Sequence, residues 1–246
     1  MYDAMLAETT TITGHEGHQI EAYSARPLTP GPLGGVVVIH HMPGYDEQTK
    51  EISRTFASHG YNAIVPNLYH RDAPGASPDD AAAAGRAKGG VPDDRLIGDV
   101  AGGAEYLRGL TSSNGKVGVI GYCSGGRQSV LAACSLPLEA AVDCYGAFVV
   151  GEVPEGFPMK ARPIKHLIKN LSCPLLGLFG ADDKYPSPEQ VVELEEELKA
   201  HGKTYEFHSY EGAGHAFFST NRPSYRVEAA TEAWDEIWDF FGEYLN

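Results

Sequence analysis

The chain has 246 residues, 42% of them hydrophobic and 21% charged, a balance that excludes intrinsic disorder and fibrous repeats. Its formal net charge of −14 opposes broad attraction to nucleic-acid phosphates or anionic membrane surfaces, so neither is an expected partner. At this length a single α/β domain over residues 1–246 is the expectation.

In chain order, the segment 1–20 holds no basic stretch followed by an apolar one, and no later apolar run approaches about 18 residues. The four cysteines, Cys123, Cys134, Cys144 and Cys173, form no C-x-x-C pair and suit a reducing compartment, so a cytoplasmic protein is expected. Short, mostly β-branched or aromatic runs at 34–40, 61–69, 116–122, 139–146, 174–180 and 204–210 read as strands. Several are continuously apolar, as parallel strands covered on both faces are. Between them, 46–60, 93–110, 125–135, 187–202 and 224–245 read as helices, with Ser187 and Pro188 as a cap and first turn. Alternation of this kind defines a mostly parallel central sheet with helices on both faces. The Ala-, Gly-, Pro- and Asp-rich stretch 70–94 reads as a long loop, and 151–167 as a surface connection or a small cap.

The sequence "GYCSGG", 121–126, sits where the third of these strands turns into a helix. Glycine, any residue, nucleophile, any residue, glycine is the layout of the nucleophile elbow of α/β hydrolases, here with Cys123 in the middle. A thiol nucleophile needs an imidazole to take its proton, and the imidazole needs an acid to orient it. The last two strands run into "GADD", with Asp183 favoured over Asp182, and into "GAGHAFF", with His215. The order Cys123, Asp183, His215 is that of the α/β hydrolases. His59, His166, His201 and His208 lie on or beside helices and strands and have ordinary roles. Oxyanion-hole donors are expected from the backbone N–H groups of Met42, in the loop "HHMPGYDE" after the first strand of that set, and of Ser124. Tyr45, Tyr122, Tyr145 and Phe217 are candidates for the pocket wall. "HEGH" at 15–18 has the wrong spacing for a zinc motif, and no phosphate-binding glycine loop is present, so neither metal nor cofactor is expected.

With these pieces in place, the chain resembles the dienelactone hydrolase (carboxymethylenebutenolidase) family from about residue 20 onward. The most specific segments are "GYCSGG", "GAGHAFF" and the long run from His40 to Gly75. The resemblance implies a Cys123–His215–Asp183 triad, an acyl-enzyme thioester and a small-molecule lactone or ester substrate, in a monomer or homodimer. Two positions depart from it. Family members that open dienelactone carry a glutamate beside the oxyanion-hole residue, where this chain has His41, and a charged imidazole there would favour thiolate at Cys123. They also carry an arginine four residues past the histidine, where this chain has Ser219, which leaves Arg71, Arg86 and Arg222 as substitutes for binding a substrate carboxylate. The alternatives are the same triad acting on amides or phosphate triesters, and a non-catalytic ligand-binding relative.

Overall fold

The computed structural model describes residues 4–157 and 159–246. Eight strands form one sheet in the order β1-β2-β4-β3-β5-β6-β7-β8. They are β1 (Met5–Thr13), β2 (Gln19–Pro27), β3 (Leu33–Ile39), β4 (Asn62–Pro66), β5 (Ser113–Tyr122), β6 (Ala140–Cys144), β7 (Leu175–Gly180) and β8 (Tyr205–Tyr210). From β4 to β8 the pairing is parallel, whereas β1 and β2 form an antiparallel hairpin, with β2 also antiparallel to β4. All six expected strands are present, and the hairpin β1–β2 is an addition to them.

The helices are α1 (Glu47–Ser58), α2 (Pro78–Ala87), α3 (Asp93–Arg108), α4 (Ser124–Ala133), α5 (Pro188–Ala200) and α6 (Val227–Leu245). The stretch 70–94 is a correction to the loop expected there, because it contains all ten residues of α2. Ser77 accepts from the Asp80 amide and Pro78 opens the first turn, the same device that starts α5 at Ser187 and Pro188.

Both faces of the sheet are covered, which explains the unbroken apolar strands. On β3, Val36 and Val38 pack with Phe56 of α1 and Ile237 and Phe241 of α6. Val37 and Ile39 point the other way, toward Val100 and Leu107 of α3 and Val130 of α4. Helix α6 reads as an amphipathic helix because Ala230, Ala233, Ile237, Phe241 and Leu245 recur at helical spacing and are buried. Truncating Phe241 to alanine would cost about 3–5 kcal/mol. This rigid frame presents the carboxyl ends of β3, β5, β7 and β8 on one side, where ligand sites of open parallel sheets form. Among the described residues, no helix is long and apolar enough to cross a membrane.

Candidate active site

Cys123 stands alone between the last residue of β5 and the first of α4, with φ 59° and ψ −120°. A non-glycine residue at positive φ is strained, and the crowding around it shows what imposes the turn. A Cβ on Gly121 would collide with the Gly125 carbonyl, and one on Gly125 would lie 2.5 Å from the Ile39 carbonyl oxygen. A Cβ on Gly126 would lie closer still to an Asp143 carboxylate oxygen. Strand and helix therefore meet only because these positions lack side chains, and the thiol is lifted out at the bend. The Cys123 amide donates to the Cys144 carbonyl at 3.1 Å, tying the elbow to β6.

His215 follows β8, and its Nε2 lies 3.0 Å from the Cys123 Sγ. Its Nδ1 lies 2.8 Å from Oδ2 of Asp183, which follows β7. Asp183 is buried, and its Oδ1 accepts from the Tyr185 amide at 2.9 Å, which leaves Oδ2 for the imidazole. Exposed Asp182 makes no such contact through its side chain; its backbone N–H donates to the Ala213 carbonyl and draws the two strand ends together. Burial works against charge on His215, but its hydrogen bonds to Asp183 and Cys123 outweigh burial and push its pKa up to about 10. The Tyr145 ring meets the imidazole edge-on, with centroids 5.2 Å apart.

Met42 and Ser124 flank the thiol from β3 and α4. Among the described residues, neither backbone N–H is taken by a protein acceptor. The Ser124 amide also belongs to the first turn of α4, whose dipole favours negative charge. The Met42 loop is held from beneath by His40. Burial keeps that imidazole neutral, with a pKa lowered to about 4. Its Nδ1–H donates to the His41 carbonyl at 2.9 Å, while Nε2 accepts from the Leu68 amide at 3.3 Å. The Tyr69 hydroxyl donates to the Met42 carbonyl at 3.0 Å, so the loop has little freedom to turn its amide away.

An apolar chamber of about 430 Å³ opens over Cys123 and His215. Phe148, Phe157 and Tyr185 form an aromatic cluster on its wall, with centroids 5.2 to 6.1 Å apart, and Met42 and Met159 complete it. These aromatic residues were missed by sequence reasoning. Phe157 and Met159 come from the stretch 151–167, so that connection borders the site.

Other expected wall residues lie elsewhere. Tyr45 is buried under Lys50, and Phe217 is fully enclosed in the core between Tyr145 and Tyr210. Tyr122 and Tyr145 are buried and line a small separate cavity with His41 and Ser219. The His41 ring is bound to Asp46, Nε2 to Oδ2, at 2.7 Å and does not line the chamber that holds the thiol. Arg71 is engaged away from the site by buried Asp99, at 2.8 Å for each of two nitrogens. Arg222 is exposed, with its backbone N–H bonded to the Ser219 carbonyl. Arg86 lines a second chamber that shares Met42, Ser124 and Met159 with the first.

The sheet order and the sharp strand-to-helix bend are those of an α/β hydrolase. The family model described as "Dienelactone hydrolase family" matches residues 20–245. An Escherichia coli protein named "Putative carboxymethylenebutenolidase" is 33% identical over 98% of this chain and 89% of its own length. The crystal structure described as a "Putative Dienelactone Hydrolase" from Klebsiella pneumoniae superposes with a TM-score of 0.86 at 31% identity, covering 98% of this chain and all of that one. A dienelactone hydrolase-like promiscuous phosphotriesterase from metagenomic libraries shares the fold, with a TM-score of 0.77 at 21% identity over 99% of this chain and all of its own. The chain belongs to the dienelactone hydrolase family, and the protein is a hydrolase of the lactone and ester class.

Proposed function

We propose that the protein hydrolyses a carboxylic ester or lactone through a covalent thioester on Cys123. The observation that carries this reading is the contact of His215 Nε2 with Sγ at 3.0 Å while Nδ1 is held by Asp183 at 2.8 Å. Sγ attacks the carbonyl carbon with its proton already on Nε2, and the carbonyl oxygen takes up negative charge between the Met42 and Ser124 amides. Collapse breaks the carbon–oxygen bond, and Nε2 returns the proton to the leaving alkoxide. Water then gives a proton to Nε2 and attacks the thioester, releasing the acid and restoring the thiol. Asp183 holds the imidazole with Nε2 toward sulfur and stabilises its charged form.

The substrate belongs to the small-molecule lactones or esters, and the reading needs no metal or cofactor. All eight strands lie in one sheet, which supports a single domain, and a cytoplasmic place belongs to the same reading. The test is hydrolysis of cis- and trans-dienelactone beside short p-nitrophenyl esters. A burst of one equivalent of nitrophenol in the wild type, absent in Cys123→Ala, is expected. Undiminished turnover in Cys123→Ala would overturn the reading.

A further inference from the structure

Beneath the elbow, on the face of β6 that packs against α4, lies a carboxyl that the hydrolytic steps do not use. Asp143 is fully buried, one residue before the end of β6. Its Oδ1 accepts from the Gly146 amide at 2.7 Å, while Oδ2 is buried without a hydrogen-bond partner among the described residues. A Cβ on Gly126 or on Gly146 would collide with Oδ1, so the group is wedged between the first turn of α4 and the turn that follows β6. Among the described residues it forms no ion pair, and neighbouring Arg127 gives both terminal nitrogens to Asp93 at 2.9 Å. A buried oxygen without a partner is costly, and a buried charge without one costs more. Burial accordingly outweighs the Gly146 hydrogen bond and raises the Asp143 pKa to about 7.

Asp143 to Gly146 form a turn that the Oδ1 contact closes, and Cys123 and His215 both rest on it. The Cys144 carbonyl accepts from the Cys123 amide at 3.1 Å, which fixes the nucleophile's end. Tyr145 stands at φ 44°, a left-handed conformation that is strained for a side chain of this size. Its amide donates to the Leu178 carbonyl at 2.9 Å, and its ring meets the His215 imidazole edge-on. Resting on the function proposed above, the geometry points to Asp143 as a positioning residue: its Oδ1 clamps the Cys144–Gly146 turn and so holds Cys123 in register with His215. The uncharged carboxyl suffices, because only the acceptor at Oδ1 is used. Releasing the clamp lets Tyr145 relax toward negative φ, which withdraws its ring from the imidazole and slackens the tie between elbow and β6. The 3.0 Å contact of Cys123 with His215 is then lost, and a displacement of about 1 Å in such a contact costs on the order of 10²-fold in rate.

Asp143→Asn keeps the acceptor without the charge, whereas Asp143→Ala removes both. Deleting an oxygen that has no partner offsets part of the loss of the Gly146 contact, so Asp143→Ala is expected to fold; Asp143→Val, nearer in volume, replaces it if it does not. In variants whose far-ultraviolet circular dichroism matches wild type, Asp143→Ala is expected to lower kcat for p-nitrophenyl acetate about tenfold or more, with KM within about threefold. Asp143→Asn is expected to stay within about threefold of wild type in both. Alkylation of Cys123 by iodoacetamide, in which sulfur displaces iodide and no ester takes part, is the second readout. Its rate, corrected for the other three cysteines with Cys123→Ala, is expected to fall about tenfold in Asp143→Ala and to hold in Asp143→Asn. A merely structural role would lower the unfolding midpoint and leave kcat and alkylation unchanged. That result, equal losses in the two variants, or a loss confined to KM overturns the inference. If wild type turns over no ester, the hydrolytic reading fails instead and alkylation alone decides: equal rates in wild type and Asp143→Ala overturn the positioning role.

Discussion

His215 meets Asp183 at 2.8 Å and His41 meets Asp46 at 2.7 Å, yet the two pairs end in different places. In the first, the aspartate takes Nδ1 from a strand end, so Nε2 points at a sulfur 3.0 Å away. In the second, the aspartate takes Nε2 itself, and its other oxygen caps α1 by accepting from the Thr49 amide and hydroxyl, both at 2.9 Å. Burial opposes the Asp46 charge, but His41 and Thr49 outweigh it and hold the carboxyl down at about 2. A histidine–aspartate distance therefore says little alone. What distinguishes the pairs is which ring nitrogen remains and what it faces.

The largest expected effect that separates them is loss of the proposed nucleophile: Cys123→Ala should lower kcat by on the order of 10⁴-fold or more. Asp183→Asn should cost roughly 10³-fold in kcat in steady-state ester hydrolysis, while Asp46→Asn stays within a few-fold. Equal losses in the two asparagine variants would erase the distinction.

Stability against pH gives a second contrast. The raised pKa of His215 contributes stability that is complete below its unfolded value near 6.5 and disappears as pH rises through about 10. Asp46, with a depressed pKa, contributes above its unfolded value near 3.9 and fades as pH falls through about 2. Urea titrations of His215→Gln and Asp46→Asn beside wild type should show their deficits closing at opposite ends of the pH range. The smallest effect is the helix cap, where Asp46→Ala should lower unfolding free energy by about 1 kcal/mol at neutral pH.

The parallel half of the sheet was legible in the sequence because strands buried on both faces need unbroken apolar runs such as "VVVI" and "LLGLF". The hairpin was not. β1 reads "MLAETTTIT", and its residues are mostly exposed or half-exposed at the sheet edge, so it carries no apolar run. Helix α2 was hidden by its small residues, although Ser77 and Pro78 signalled its start. Within the site, Cys123, Asp183 and His215 were legible because each follows directly from a strand end, where local sequence fixes position. The chamber wall depends on how loops return across the site. Phe148 reaches it through a backbone at φ 66°, and Phe157 and Met159 arrive from a Pro/Gly-rich connection, none of which periodicity encodes. Tyr45 and Phe217 were drawn the other way, into the core, because covering the sheet beneath α1 and α6 takes large side chains.

The four strands that carry the site are not equally secured. β3, β5 and β7 each have a neighbour on both sides, whereas β8, which delivers His215, is the sheet's last strand, and all its residues but Tyr210 are partly or fully exposed. Local opening at such a margin needs less free energy than global unfolding. His215 is therefore expected to be the first member of the constellation to be lost, and reversibly. In rising denaturant, activity is expected to fall before the far-ultraviolet signal of the sheet and helices, and to return on dilution without refolding of the rest. Tolerance to heat and solvent in this hydrolase is then governed by how firmly one outer strand stays zipped to β7.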